Sequence, residues 1–214
     1  MNEKTFDAFM NSESWEKQLS ILENLESENS KRNINPRPLC MEELCMKNIN
    51  IRKAEIKDVE TIARIIVKAW KVAYKGIVSD DLLSDIRYKK YVPFIEKDIR
   101  DKDKIVFVYE EGEKGIVGFV SGGTPKSSMK NFDSELYAVY VLPEKHKRGI
   151  GKALFKRFVQ WAKENSFTSF FLGVLKDNQG ARLFYEKLGG KVVGSGKKII
   201  GKELDLVFYG WKNI

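Results

Sequence analysis

The chain of 214 residues has two cysteines, one histidine and five prolines. It also has no apolar run approaching the roughly 20 residues that span a bilayer. Each shortage disfavours a class of protein. Cys40 and Cys45, in C-M-E-E-L-C, are spaced too widely for a C-x-x-C redox or zinc pair and have no partner ligands nearby, so no metal site is expected. With His146 as the sole histidine, a His-rich metal centre and a triad organised around several histidines are both disfavoured. The opening MNEKTFDAFMNSESWEKQ lacks the basic-then-apolar layout of a secretory signal, which leads us to expect a cytoplasmic location without membrane association. The sequence shows no internal repeat or low-complexity tract.

Apolar residues make up 43% of the chain and aromatics 12%, enough for a sizeable core, and the charged 32% suits a solvated surface. Wholesale disorder is thereby excluded. The net charge of +8 is compatible with a nucleic acid, a membrane or a small polyanion as partner, so its distribution matters. Residues 1–48 hold six Lys/Arg against nine Asp/Glu, giving an acidic arm of −3 and a remaining chain of +11.

Within the arm, Phe6, Phe9, Met10, Trp15, Leu19, Leu22 and Leu25 recur at the spacing of one amphipathic helix or two short ones. Asn33, Asn35, Pro36 and Pro38 then break any helix and read as a linker. Residues 1–48 are therefore read as a helical extension and linker, and 49–214 as the main domain. The arm is expected to pack on that domain or to mediate self-association, which would make a homodimer.

From residue 49 strand-like and helix-like patterns alternate, as in an α/β or α+β domain. Residues 49–53 alternate as a first strand. The following helix places Val59, Ile62, Ile66, Trp70 and Ala73 on one face, with Asp58 as an N-terminal capping or dipole-matching residue and Gly76 after its end. D-D-L-L-S-D-I-R-Y begins a second, short helix. K-I-V-F-V-Y-E and I-V-G-F-V-S-G form a hairpin across E-G-E-K-G. Residues 135–141 form a further strand closed by Pro143, a helix opens at Gly149, and 167–175 and 181–188 are a strand and a short helix. Residues 191–194 and 204–211 read as terminal strands, with 195–201 a mobile loop between them.

The segment E-L-Y-A-V-Y-V-L-P-E-K-H-K-R-G-I-G-K-A-L-F runs from a strand through a basic loop into glycines that open a helix. Such glycines let backbone N–H groups approach an anion, and the helix dipole favours negative charge there. The spacing matches neither G-x-x-x-x-G-K-S/T nor G-x-G-x-x-G, because Leu154 stands where the latter needs its third glycine. Some 30 residues on comes D-N-Q-G-A-R-L-F-Y-E-K-L-G-G.

Together the two segments resemble the GNAT N-acetyltransferase superfamily, whose members carry a Q/R-x-x-G-x-G/A loop and an N-x-x-A-x-x-x-Y-x-x-x-G segment. The matching positions are His146, Gly149 and Gly151, then Asn178, Ala181, Tyr185 and Gly189. His146 departs from the usual Gln or Arg, and Lys147 takes a position often held by Gly. The resemblance covers about residues 49–214. It implies an α+β, three-layer α/β/α fold whose central mixed, mostly antiparallel sheet is splayed between strands 4 and 5.

It also implies acetyl-CoA as cosubstrate and no metal. The pyrophosphate would lie on His146, Lys147, Arg148, Gly149, Ile150, Gly151 and Lys152, near the basic Lys145, Lys156 and Arg157. Pantetheine would pair with the backbone of Val139 and Val141, and Asn178, Ala181 and Tyr185 would complete the cofactor site. Tyr185 would donate a proton to the departing thiolate. Glu135 would accept the amine proton, usually through water, since a carboxylate near 4.3 is a poor direct base for an ammonium near 10.4.

The acceptor is expected to be a small-molecule primary amine, with Trp70, Tyr74, Asp80, Asp81 and Asp85 as candidate contacts. The aromatics also read as core or groove walls, and the aspartates as caps or solvated side chains. Alternatives are transfer to a protein or peptide amine and a CoA-binding module without activity. Nucleic-acid binding ranks below these, since no recognised motif supports it.

Overall fold

The structure is a computed structural model that describes residues 50–126 and 129–214. The predicted N-terminal helix, its linker and both cysteines lie outside the described residues. One mixed sheet of seven strands organises the fold in the order β1-β2-β3-β4-β5-β7-β6. The strands are β1 (Asn50–Lys53), β2 (Lys104–Glu110), β3 (Ile116–Gly123), β4 (Ser134–Val141), β5 (Ser169–Leu175), β6 (Lys191–Ile200) and β7 (Lys202–Lys212). The β4–β5 pair is parallel and all other pairs are antiparallel. Parallel pairing requires a crossover, and the helix α4 (Ile150–Glu164) supplies it.

Helices α1 (Val59–Ala73), α2 (Asp80–Asp85) and α3 (Val92–Arg100) contribute to one core, and α4 and α5 (Gln179–Lys187) to another. In α1 the apolar spacing buries Ile62, Ile66 and Trp70 against Phe119 and Val106. In α4, Leu154, Phe158 and Ala162 are fully buried among residues that include Phe107, Val120 and Phe170. None of the helices among the described residues is long and apolar enough to cross a membrane.

Two sequence expectations are corrected, and one helix is added. Asp58 does not cap α1 through its side chain. Its carboxylate instead accepts from the Glu55 N–H at 2.8 Å and from Arg52 at 2.6 and 3.0 Å, tying β1 to the turn before the helix. Helix α3 was not anticipated, although Pro93 in its first turn is compatible with a helix start. The expected loop at 195–201 is ordered hairpin: β6 continues to Ile200 and turns only at Gly201 (φ 72°).

The β4–β5 pairing is confined to Ser134↔Phe170 and Glu135↔Phe171. A polar clasp holds that short contact. Asp133 Oδ2 accepts from the Thr168 N–H and hydroxyl, both at 2.7 Å, and Oδ1 from the Ser169 N–H and hydroxyl at 2.9 and 3.0 Å. Ser134, fully buried, donates to the Ser169 carbonyl at 2.7 Å. Partial burial raises the Asp133 pKa, but these bonds outweigh it and hold the carboxyl below its ordinary value. A depressed folded-state pKa contributes stability above the unfolded value of about 3.9, lost as pH falls through the folded one. We therefore expect Asp133→Ala to cost about 2–3 kcal/mol at neutral pH. In urea unfolding series, the gap to the wild type should close below about pH 4.

Candidate active site

Beyond Glu135 the two central strands part, and a bulge in β4 begins there. Ser121 pairs with Ala138 and Gly122 with Leu136, leaving Tyr137 without an opposite residue. Gly122 makes the bulge sterically feasible: a Cβ there would run into the Phe158 ring and come within 2.7 Å of the Glu135 carbonyl oxygen. The extra residue shifts the alternation. Leu136, Val139 and Val141 join the core beneath α4, while Glu135, Tyr137, Ala138 and Tyr140 line a cavity on the α1 face. Without the bulge, Glu135 and Ala138 would face opposite sides.

Past the bulge, backbone direction follows from one bond. The Leu142 N–H donates to the Val117 carbonyl at 2.8 Å, so it points at β3. By strand alternation Tyr140 points the same way, and the N–H and C=O groups of Val139 and Val141 point away, into the gap. The His146 ring, through Nε2, meets the Val141 carbonyl at 3.1 Å. Since a carbonyl only accepts, Nε2 is the protonated nitrogen in that contact.

The basic loop enters α4 through two left-handed residues, Lys147 (φ 60°) and Gly149 (φ 80°), with Gly149 as N-cap. The left-handed conformation costs a non-glycine residue about 1–2 kcal/mol, which accounts for the glycine common at the Lys147 position. Helix geometry turns the first-turn N–H groups of Ile150, Gly151 and Lys152 outward, beside the exposed Lys147 and Arg148. Such a cradle suits a phosphate-bearing group. Three of the expected basic side chains are engaged with other protein groups. Lys145 is ion-paired with Glu111, which also holds Arg148 at 2.8 Å, and Arg157 lies 4.2 Å over the Phe107 ring.

Asn178 caps α5, its Oδ1 accepting the Ala181 N–H at 3.1 Å. The cap sets the helix that carries Tyr185, whose ring is buried against Phe155, Phe184 and Trp211. Burial, with Tyr140 adding, pushes the Tyr185 hydroxyl well above its ordinary value. It also lies close enough to Tyr74 to raise that pKa, after burial and Tyr140. The Tyr140 hydroxyl accepts from Trp70 Nε1 at 3.0 Å and hydrogen-bonds with the Tyr74 hydroxyl at 3.3 Å. Tyrosines from α5, β4 and the end of α1 thus form one electrostatic cluster.

The cavity measures about 160 Å³. Ile62, Ile66 and Trp70 of α1, Phe94 and Ile95 of α3, and Phe119 of β3 form its apolar wall, and Asp98, Lys126, Glu135 and Lys198 its charged groups. Glu135 Oε2 accepts the Lys126 N–H at 2.7 Å. Lys126 Nζ lies 3.3 Å from Asp98 and 3.9 Å over the Tyr137 ring. Burial lowers the Lys198 pKa from 10.5 to about 8, Glu135 opposing and Lys126 adding to the fall.

Of the anticipated acceptor contacts, Trp70 lines the cavity and Tyr74 stands behind it on Tyr140. Asp80, Asp81 and Asp85 are exposed on α2 and do not line it. The acids that do are Asp98 and Glu135. Sequence reading missed Asp98 with its helix, and Lys198 because its strand read as loop. The alternation of Lys198 with the buried Ile200 was the available signal.

The sequence profile of the acetyltransferase (GNAT) family matches residues 67–190. An uncharacterized N-acetyltransferase of Bacillus subtilis, YuaI, is 29% identical over 78% of this chain and 94% of its own. A spermidine N(1)-acetyltransferase of Thermoplasma acidophilum is 27% identical over 68% and 89%. Among solved structures, the PaiA N-acetyltransferase of Thermoplasma acidophilum in complex with coenzyme A superposes with a TM-score of 0.62 at 25% identity, over 77% of this chain and 99% of that one. A profile match across more than half of the sequence, on a sheet that opens where such a fold requires, means that the chain belongs to the GNAT family of acetyltransferases.

Proposed function

We propose that the protein transfers the acetyl group of acetyl-CoA directly to the primary amine of a small molecule within a ternary complex. The observation that carries this reading is the parting of β4 from β5 directly after Glu135, which opens a strand edge between the start of α4 and the cavity. Acetyl-CoA supplies an activated thioester. The outward N–H groups of Ile150 and Gly151, with Lys147, Lys152 and an Arg148 turned from Glu111, would hold its pyrophosphate. Val139 and Val141 would pair with the pantetheine amides, an interaction that leaves side-chain identity unconstrained. Using Val141 fully requires the His146 ring to leave its carbonyl.

In the reaction the bound ammonium first gives up one proton, which Glu135 would receive through water. The neutral nitrogen then bonds to the acetyl carbon and the carbon–sulfur bond breaks. The second proton lost from nitrogen ends on the sulfur as CoA thiol, with the Tyr185 hydroxyl as hydrogen-bond donor to the departing sulfur. The Val139 N–H would face the developing oxyanion. A cavity of about 160 Å³ suits a small acceptor better than a folded protein surface.

Acetyl-CoA at a hundredfold excess over its Kd is expected to stabilise the fold by about 2.7 kcal/mol, raising Tm by about 5–10 °C. CoA thiol should then appear only when an amine is added. No shift and no thiol across an amine panel would remove this reading.

A further inference from the structure

We infer that the acceptor is a compact apolar amine bearing a single positive charge, such as an arylalkyl or branched alkyl monoamine, and that Lys198 enforces this choice against polyamines. The inference rests on the acetyltransferase reading above and concerns the same cavity.

The first observation is shape and polarity. The wall presented by Ile62, Ile66, Trp70, Phe94, Ile95 and Phe119 offers apolar surface from three directions. An apolar cavity of roughly 150 Å³ accommodates one benzene ring, and this one measures about 160 Å³. The polar atoms of two lining aromatics are committed to protein partners. Trp70 Nε1 donates to Tyr140 and the Tyr137 hydroxyl to the Thr124 carbonyl, so these residues present rings to an occupant.

The second observation is charge. The lining holds two carboxylates, Asp98 and Glu135, and two ammonium groups, Lys126 and Lys198. Asp98 is bridged by Lys104 at 2.8 Å and Lys126 at 3.3 Å. Glu135 accepts the Lys126 N–H and attracts Lys198, whose protonated form it favours. A polyamine carries several positive charges along its length and needs a series of acidic groups to replace its water. Here each acid already has a cation beside it, and Lys198 adds repulsion. A monoamine avoids that conflict, because its amine must lose its own charge to react and its body needs only apolar contact.

Acceptor kinetics with acetyl-CoA and the full chain would test this. Phenethylamine and isoamylamine are expected to show kcat/KM at least tenfold above spermidine and spermine, and isothermal titration of phenethylamine should detect binding without acetyl-CoA. Spermidine preferred or equal would overturn the substrate class while leaving acetyl transfer intact. No amine of either class consumed would overturn both. In Lys198→Met the spermidine-to-phenethylamine ratio of kcat/KM should rise at least fivefold, because Glu135 becomes available to a second cation. An unchanged ratio in a variant of wild-type Tm would overturn the role of Lys198.

Discussion

Tyr185→Phe is expected to lower kcat by about a hundredfold, with the KM for acetyl-CoA within about threefold of the wild type. Phenylalanine keeps the ring among Phe155, Phe184 and Trp211, so the unfolding midpoint should barely move. Burial holds the phenol above its ordinary value, and it therefore stays protonated across the working pH range. That shift also shapes its role. A thiol ionises near 8.5, so full proton transfer from such a phenol to a thiolate runs uphill. Tyr185 is thus expected to stabilise the sulfur as a hydrogen-bond donor, a contribution greatest as charge develops. Steady-state kinetics and a melting curve suffice to check it. An unchanged kcat would move the donor role to Tyr140 or to solvent.

Glu135→Gln is expected to lower kcat by about a hundredfold near pH 7. Glutamine retains an oxygen that can accept the Lys126 N–H, so the loss of charge is isolated from the loss of that bond. A base matters most while the acceptor amine is protonated. The deficit should therefore shrink as pH rises towards the amine pKa of about 10.4. A pH–rate profile of both forms provides the readout, and a deficit constant with pH would assign Glu135 a positioning role instead. The variant should also lower the Lys198 pKa further, because Glu135 supports the protonated form of that lysine.

Much of the architecture was legible in the sequence because periodicity records burial. The α1 helix and the β2–β3 hairpin each carry a clear apolar pattern, and the run from β4 into α4 is marked by a strand-like segment, a basic loop and glycines at the helix start. The errors fall where pattern and environment diverge. Residues 195–201, rich in Gly and Lys, read as a loop, yet pairing with β7 supplies the backbone bonds that their composition does not suggest. Helix α3 has nine residues and opens on Val-Pro, a weak local signal that gains from packing Ile95 into the core.

Within the candidate site, the glycines before α4 and the Asn178 to Tyr185 segment were visible as local motifs because each is a contiguous solution to a backbone problem. A left-handed turn must precede the α4 helix, and an N-cap must begin α5. The acids of the cavity were not visible in this way. Asp80 and Asp81 lie close in sequence to the Trp70 helix but point to solvent, while Asp98 arrives on a separate helix.

The sequence by itself determined most of the element types, the acidic-to-basic division of the chain and the family, since these depend on composition, period and contiguous motifs. Only the tertiary structure decided which side chains share the cavity. One unpaired residue in β4 turns Glu135 and Ala138 to the same face, and the β6–β7 hairpin brings Lys198 beside Glu135 across more than sixty positions of chain. Such juxtapositions arise from strand register and crossover, which local pattern cannot encode because they depend on which distant segment is the partner.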